Sequence, residues 1–260
     1  MEANKISVVI VSFYRAEQLR QSLAALLGSP ETPAAPPATK LQVLVVDNGS
    51  RDGSASIDDE FPDVRLSRLP RNFGLTRALN IGIRAADGDY TLLMHDDVQI
   101  DGASVVALAE FLENRPDVGA VCPHLNTPQV RALPTPSNPD PPFKMTPEGE
   151  EVTADCVSGA AIMVRTQFLR SMGHIDERYG NYGSAIEICA QIRSSNRKLV
   201  ILGGVKASHG SAPSPMPSGP LKRDRAAGTA AFIGKHHGFA AGLLCRLKTS
   251  PLASKIDGAG

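Results

Sequence analysis

Carboxylate side chains stand at the ends of two short apolar segments of this 260-residue chain. Asp47 closes the run LQVLVVD, and Asp96 and Asp97 follow His95 at the end of TLLMHDD. Adjacent carboxylates at the end of a buried strand repel each other unless a cation or hydrogen-bond donors lie between them. Carboxylate oxygens suit Mg²⁺ or Mn²⁺, which complete their coordination with water and substrate phosphates. The pattern predicts a divalent-metal site at Asp97, to which His209, at the end of a later apolar run, can add an imidazole.

Other side chains near these strand ends could contact a nucleotide. A carboxylate in the position of Asp47 can accept hydrogen bonds from a ribose or a base imide. Arg71 and Asn72 precede a predicted helix, where a cation and an amide can meet a diphosphate. The candidates for nucleotide contacts are therefore Ser12, Asp47, Arg71, Asn72 and Asp96. The alternative is local, because acids in this setting also cap turns and VVDNGS is typical of a strand that leads into an Asx-turn.

Short apolar runs supply the elements that must position these residues. The segments Ile6–Ser12 and Leu41–Asp47 are continuously apolar and rich in β-branched residues, as in strands buried on both faces of a parallel sheet. Apolar residues recur at helical spacing between the runs. Alternating strands and helices over the first 120 residues favour an α/β fold with a doubly wound parallel sheet, whose ligands bind at the carboxyl ends of the strands.

Other nucleotide-binding families with a similar sheet are disfavoured by the loop SFYRAEQ after the first strand. It contains no GxGxxG motif, the chain has no Walker A lysine loop, and a nucleotidyltransferase would carry a glycine- and arginine-rich loop there. The 27 basic and 27 acidic residues cancel, so charge gives no reason to expect a nucleic-acid partner. The four cysteines lie far apart without a CxxC pair, which predicts buried thiols in a reducing cytoplasm.

The chain divides into a predicted domain of residues 1–220 and a helical tail of residues 221–260. A proline-dense segment at about 123–150 is predicted to be a long surface loop. In the tail, Phe232 to Leu247 form a mildly basic amphipathic helix candidate, which either packs on the domain or contacts a membrane surface. The N-terminus has no signal-peptide pattern. We therefore expect a cytoplasmic protein, with the inner face of the membrane as an alternative location.

Taken in order, several segments resemble the inverting family 2 glycosyltransferases of GT-A fold, especially rhamnosyltransferase-like members. They are ISVVIVSFYR, VVDNGSRDGS, RNFGLTRALNIGIRAADGDYTLLMHDDV and SGAAIMVRTQFLRSMGHIDERY, within residues 5–210. The resemblance implies a mostly parallel central sheet flanked by helices. It also implies transfer of a sugar, with inversion, from a UDP- or dTDP-linked donor to a hydroxyl of a glycan or lipid-linked acceptor.

The same resemblance implies roles for individual residues. Asp47 would contact the donor nucleoside, Asp97 would end a DxD-type metal motif written here as His95-Asp96-Asp97, and His209 would complete the binding of metal or diphosphate. The metal would be Mn²⁺ or Mg²⁺.

The chain departs from this family where the catalytic base is expected. Members carry a Glu-Asp pair at the start of a helix, and Ser184 and Ala185 stand in its place. Glu187 is a candidate base, although two residues turn a helical side chain by about 200°. Asp176 in GHIDERY is another candidate, with turn capping as its alternative role. A third possibility is a protein that binds nucleotide-sugar without turnover.

Overall fold

The structure is a computed structural model, and it describes residues 5–29, 32–33, 41–210 and 218–248. The strands are β1 (Ile6–Ser12), β2 (Gly28–Ser29), β3 (Thr32–Pro33), β4 (Leu41–Asp47), β5 (Val64–Arg68), β6 (Tyr90–His95), β7 (Val98–Gln99), β8 (Val118–Leu125), β9 (Val130–Arg131), β10 (Glu151–Ala154), β11 (Cys156–Val157), β12 (Ala161–Arg165) and β13 (Lys198–His209). The helices are α1 (Ala16–Leu27), α2 (Ile57–Glu60), α3 (Leu75–Ala85), α4 (Gly102–Glu113), α5 (Thr166–Ser171), α6 (Ser184–Ser194), α7 (Ser218–His237) and α8 (Phe239–Lys248), with 3-10 helices at Gly53–Ser56 and Glu177–Tyr179.

The central sheet has the strand order β10-β13-β8-β12-β6-β1-β4-β5, and β7 pairs with the end of β13. Strands β5, β4, β1 and β6 are mutually parallel. Beyond them β12 lies antiparallel between β6 and β8, while β13 runs parallel to β8. The predicted α/β class with flanking helices is confirmed. Its first half is parallel as expected, and its second half is mixed because β12 enters between two strands that are close in the chain.

The parallel register places three strand ends side by side. Ser12 of β1 pairs with Asp47 of β4, and Val11 pairs with His95 of β6. The main-chain N–H of Asn48 donates to the carbonyl of Ser12 at 2.8 Å, which continues the ladder past the end of β4. The candidate residues at these ends therefore share one edge of the sheet, where ligands bind in open α/β folds.

Apolar side chains cover both faces of the sheet. On one face, α1 and α4 bury Leu19, Leu23 and Leu108 against β1 and β6. On the other face, α3 and α6 pack together with α7, whose Phe232 and Ile233 are fully buried. Burial of each such side chain stabilises the fold by roughly 1.5–3 kcal/mol. The four cysteines are buried free thiols, as predicted.

The C-terminal helical segment consists of two helices rather than one. Gly238 separates α7 from α8 with φ of 97°, a left-handed conformation that glycine adopts without strain. The amphipathic candidate Phe232 to Leu247 therefore spans the end of α7, this break and most of α8. Helix α7 belongs to the main core, and the predicted division at residue 220 falls inside it. Among the described helices, none combines the length and apolar composition needed to cross a bilayer.

The proline-dense segment is largely irregular but is fixed to the domain. Strand β8 extends to Leu125, and the short β9 pairs with β11. The buried side chain of Gln129 accepts from the N–H of Leu125 at 2.7 Å and donates to the carbonyl of Pro123 at 2.9 Å. These bonds hold the start of the segment, including β9, against the end of β8.

Candidate active site

Asp47 presents an unsatisfied oxygen at the sheet edge. Its Oδ2 accepts a hydrogen bond from the N–H of Ser50 at 3.0 Å. Its Oδ1 is buried and has no hydrogen-bond partner among the described residues. A buried carboxylate oxygen without a donor is costly, so this position favours a ligand that supplies one. Ser12, its neighbour in the sheet, is also fully buried.

Asn72 is held beside this edge by a second asparagine. The Nδ2 of Asn48 donates to Oδ1 of Asn72 at 3.1 Å, and the N–H of Gly74 donates to the same oxygen at 2.8 Å. Both asparagines line the cavity described below, whereas Arg71 does not. The guanidinium of Arg71 lies over the ring of Phe73, 5.1 Å from its centroid. The structure therefore brings Asn72 to the site and directs Arg71 to a neighbouring aromatic ring.

His95, Asp97 and His209 form a compact cluster of potential metal ligands. One ligand atom from each lies within 4.8 Å of the others. Nε2 of His209 is 3.3 Å from Oδ1 of Asp97, and the two histidine rings are 5.5 Å apart between centroids. Two imidazoles and a carboxylate together can hold a divalent transition-metal ion. The residues present therefore fit a divalent cation, with His95 added to the predicted ligands Asp97 and His209.

Arg15 supplies the positive charge next to the paired carboxylates. Its Nη1 lies 2.5 Å from Oδ2 of Asp97 and 3.6 Å from Oδ1 of Asp96. A cation between the two acids was expected, and in this structure it is a guanidinium group. Arg15 thus occupies a position from which it can contact either these carboxylates or an anionic ligand bound beside them.

Burial and these contacts set the protonation of the cluster. Burial raises the pKa of Asp96 to about 6, against the opposing effect of Arg15. Burial acts in the same direction on Asp97, but the hydrogen bonds from His209 and Arg15 outweigh it and lower its pKa to about 2. Burial, reinforced by the charge of His209, lowers the pKa of His95 to about 4. At neutral pH, Asp97 is therefore ionised and His95 neutral, which are the states that bind a metal.

A cavity of about 610 Å³ opens onto this cluster. Asp96, Asp97 and His209 line one part of it, Gly183, Ser184 and Ala185 line another, and further lining comes from the proline-dense segment and α7. The volume is within the range of small-molecule and cofactor sites. The structure therefore brings the predicted metal ligands, the nucleotide candidate Asn72 and the start of α6 to a single cavity.

The two candidate bases do not line this cavity. Glu187 is buried on α6, where it accepts hydrogen bonds from Tyr179 at 2.6 Å, from Lys235 and His236 at 2.7 Å each, and from Gln191 at 2.8 Å. Burial alone would raise the pKa of Glu187, but these bonds outweigh it and lower the pKa to about 2. A carboxylate so well satisfied is a weak base.

Asp176 has local partners. It caps the 3-10 helix by accepting from the N–H of Arg178 at 3.1 Å, and it forms an ion pair with the side chain of Arg178 at 2.5 Å. Its pKa is lowered, chiefly by the hydrogen bond from Arg178. The catalytic role of Asp176 or Glu187 stays a prediction, and neither position adds support to it.

Sequence reasoning missed several of the residues that line the cavity. Arg15 was not among the predicted site residues, although it lies only three residues beyond the end of β1. Arg131 and Arg225 come from segments whose sequence has no strong pattern. His95 was treated only as the first letter of a motif. For Arg15 the available signal was its place directly after a strand end.

Comparison with known proteins identifies the family. The profile of Glycosyl transferase family 2 matches residues 7–172, which include Asp47 and the His95-Asp96-Asp97 motif. The chain belongs to glycosyl transferase family 2. It is a glycosyltransferase, and the comparisons give no support to the alternative of a binding protein without turnover.

Curated proteins and solved structures are similar to this glycosyltransferase. It is 26% identical, over 217 residues, to N-acetylglucosaminyl-diphospho-decaprenol L-rhamnosyltransferase of Mycobacterium tuberculosis, covering 70% of this chain and 68% of that protein. Its fold is similar to that of GalNAc-T7 in a crystal structure with UDP, GalNAc and Mn²⁺, with a TM-score of 0.65 and 15% identity over 88% of this chain and 48% of that one. Residues 1–349 of S. aureus TarS give a TM-score of 0.59 and 13% identity, over 95% of this chain and 81% of that one. These likenesses confirm the GT-A fold, and with the His95, Asp97 and His209 cluster they indicate a divalent metal.

The metal cluster generates a first prediction. In the Asp97→Asn variant, the affinity for Mn²⁺ is expected to fall by at least about tenfold, because the variant loses the one carboxylate of the cluster. Titration calorimetry of the apoprotein measures this directly. Asp63→Asn, which removes an exposed carboxylate outside the cavity, is the matched control and should bind Mn²⁺ as the wild type does. Equal Mn²⁺ affinity in both variants would contradict the assignment.

Glu187 generates a second prediction. Glu187→Gln leaves Lys235 and His236 without their anionic partner, so the free energy of unfolding at pH 7 is expected to fall by about 2 kcal/mol or more. Urea denaturation measures the change. The pKa of folded Glu187 is about 2, below its ordinary value of 4.5. Its stabilising effect is therefore present above about pH 4.5 and is lost as the pH falls toward 2, so the variant and the wild type should converge in acid.

The control for this variant is Glu177→Gln, which removes a half-exposed carboxylate 3.8 Å from Arg77 and should change stability by less than about 0.5 kcal/mol. Turnover per folded molecule is measured alongside. A loss of turnover by several orders of magnitude in Glu187→Gln, without a loss of stability, would instead identify Glu187 as the base.

Proposed function

We propose that this family 2 glycosyltransferase uses a UDP- or dTDP-linked sugar and Mn²⁺ or Mg²⁺, and glycosylates a hydroxyl of a glycan or lipid-linked acceptor with inversion. The observation that carries the proposal is the arrangement at the sheet edge. A buried carboxylate oxygen without a donor, on Asp47 at the end of β4, lies at the same sheet edge as the cluster of His95, Asp97 and His209, with β1 between β4 and the strand β6 that leads into the cluster. A nucleoside diphosphate offers a hydrogen-bond donor to Asp47, and its phosphate oxygens can bind a cation held by the cluster.

The chain's own residues account for donor binding and for part of the chemistry. Asp47 accepts a hydrogen bond from the ribose or the base, and Asn72, fixed by Asn48, provides an amide near the diphosphate. The guanidinium group of Arg15 contacts Asp97 and can contact a phosphate oxygen instead. Carboxylate and phosphate oxygens are both anionic acceptors that match its planar set of N–H donors. His95, Asp97 and His209 would hold a divalent ion, which would supply positive charge against the negative charge that develops on the departing nucleoside diphosphate.

Donor specificity is tested with a panel of UDP- and dTDP-sugars in the presence of Mn²⁺. Nucleoside diphosphate should be released from at least one donor when a glycan or lipid-linked acceptor is present. Asp47→Asn is expected to weaken binding of the matching nucleoside diphosphate by about tenfold or more, since a charge-assisted hydrogen bond is replaced by a weaker one. Asp59→Asn, an exposed position on α2, is the control. Unchanged nucleotide affinity in Asp47→Asn would exclude the proposed donor contact.

The outer face of α8 supports a peripheral membrane contact at the cytoplasmic surface. Phe239, Leu243, Leu244 and Leu247 are 82%, 48%, 59% and 59% exposed, respectively. They lie on the side of the helix away from Gly242 and Cys245, which are buried against the protein. Arg246 and Lys248 flank this apolar stripe, and α8 contains no acidic residue. An apolar stripe with basic flanks complements a bilayer that contains anionic lipid.

We expect the full chain to sediment with vesicles of equal parts phosphatidylglycerol and phosphatidylcholine. Binding should weaken in high salt, because the basic flanks are screened. The double variant Leu243→Ser and Leu247→Ser should bind these vesicles at least about tenfold more weakly, because two apolar contacts are lost. Met145→Ser, at a residue that is 54% exposed in the proline-dense segment, is the control. If the double variant and the control bind equally well, α8 is not the membrane contact.

A further inference from the structure

Two arginines converge on one carboxylate at the wall of the cavity. Nη1 of Arg131, on β9, lies 3.2 Å from Oδ1 of Asp140, and Nη2 of Arg225, on α7, lies 2.6 Å from the same oxygen. Both arginines line the cavity. They come from the proline-dense segment and from the C-terminal helices, the two parts of the chain to which the donor site assigns no role.

The charges of this group do not balance. Two guanidinium ions face one carboxylate, which leaves an excess of one positive charge, and the side chain of Asp140 is 50% exposed. The side chain of Arg131 is only 8% exposed; its Nε has no oxygen or nitrogen acceptor in hydrogen-bonding range, and its guanidinium group lies beside the Cys156 thiol. The excess positive charge favours an additional anion.

The geometry is also suited to recognise an anion with several oxygens. The guanidinium of Arg131 stacks on the ring of Phe143, with Cζ 4.4 Å from the centroid, which restricts its orientation. Arg225 is fixed through α7, where Asp224 accepts from the N–H of Asn181 at 2.8 Å. Two oriented guanidinium groups that share one carboxylate oxygen can also share one phosphate. The additional phosphate oxygens can accept hydrogen bonds from more of the guanidinium N–H groups.

We propose that Arg131 and Arg225 bind a phosphate or diphosphate group of the acceptor. The inference rests on the proposed function, in which the donor diphosphate occupies the His95, Asp97 and His209 cluster and leaves this second cationic group for another anion. Helix α7, which carries Arg225, continues through Gly238 into α8 with its exposed apolar stripe. A lipid-linked acceptor held at a membrane surface would present its diphosphate near that surface, next to the helices that contact it.

The test uses the full chain and inorganic pyrophosphate, titrated calorimetrically in the presence of EDTA so that no metal contributes. Arg131→Gln and Arg225→Gln should each weaken pyrophosphate binding by at least about tenfold, because each removes a charge-assisted hydrogen bond. Arg223→Gln, an exposed position on α7 outside the cavity wall, should bind pyrophosphate as the wild type does. Asp140→Asn removes the competing carboxylate and should tighten binding by about threefold or more. A structural role for the arginines does not predict this gain.

A second titration separates the two possible sources of the phosphate. The matching nucleoside diphosphate with Mn²⁺ should bind Arg131→Gln and Arg225→Gln within about twofold of the wild type, because its site is the metal cluster. An equal loss for pyrophosphate and for the nucleotide would assign the arginines to the donor and overturn the proposal. Pyrophosphate binding that is unchanged in both variants would also overturn it. Failure of the wild type to bind any nucleotide with Mn²⁺ would instead count against the proposed function.

Discussion

Carboxylates buried at the ends of apolar strands are the constraint on which this active site depends. The parallel register of β1, β4 and β6 brings Asp47 to the same edge as the Asp96 and Asp97 pair. Each of these side chains is almost fully removed from water, so each requires a positive charge, a donor or a proton. Arg15 and His209 satisfy Asp97, and burial shifts Asp96 toward its protonated form. Only Oδ1 of Asp47 is left for a ligand among these acids, and a cation can replace Arg15 when a diphosphate is bound.

The carboxylate on helix α6 stabilises the packing of helices and does not line the cavity. The first residues of this helix, Ser184 and Ala185, line the cavity and carry no ionisable group. The carboxylate on this helix, Glu187, lies about 200° around the axis from Ala185 and points into the interface with α7. There it neutralises Lys235 and fixes the helix that supplies Arg225 to the cavity wall. The arrangement links the integrity of the C-terminal helices to the shape of the site. It leaves the acceptor hydroxyl without a carboxylate from the start of α6.

Local pattern was sufficient to predict the strands and to place Asp97 and His209 at strand ends, where the structure brings them together. Ile6–Ser12 and Leu41–Asp47 were predicted with the bounds that the structure has, because both are uninterrupted apolar runs between polar turns. The cluster of Asp97 and His209 was predicted because each ends such a run. Pairings over long sequence separations could not be read in this way. Arg15 is 82 residues from Asp97, and β12 enters the sheet between β6 and β8, although its own sequence looks like that of any buried strand. The break at Gly238 was missed, because the apolar pattern runs on through it.

Three parts of the chain line the cavity. The first is the sheet edge, where Asn48 and the cluster of His95, Asp97 and His209 lie at the ends of strands. The second is the proline-dense segment, whose Arg131 is held by β9 and by stacking on Phe143. The third is the pair of C-terminal helices α7 and α8. Arg225 of α7 lines the cavity, and α8 has the exposed apolar stripe. Helix α7 is held both by Glu187 and by its core residues Phe232 and Ile233, so the position of Arg225 at the cavity wall depends on contacts other than the hydrogen-bond ladder of the sheet.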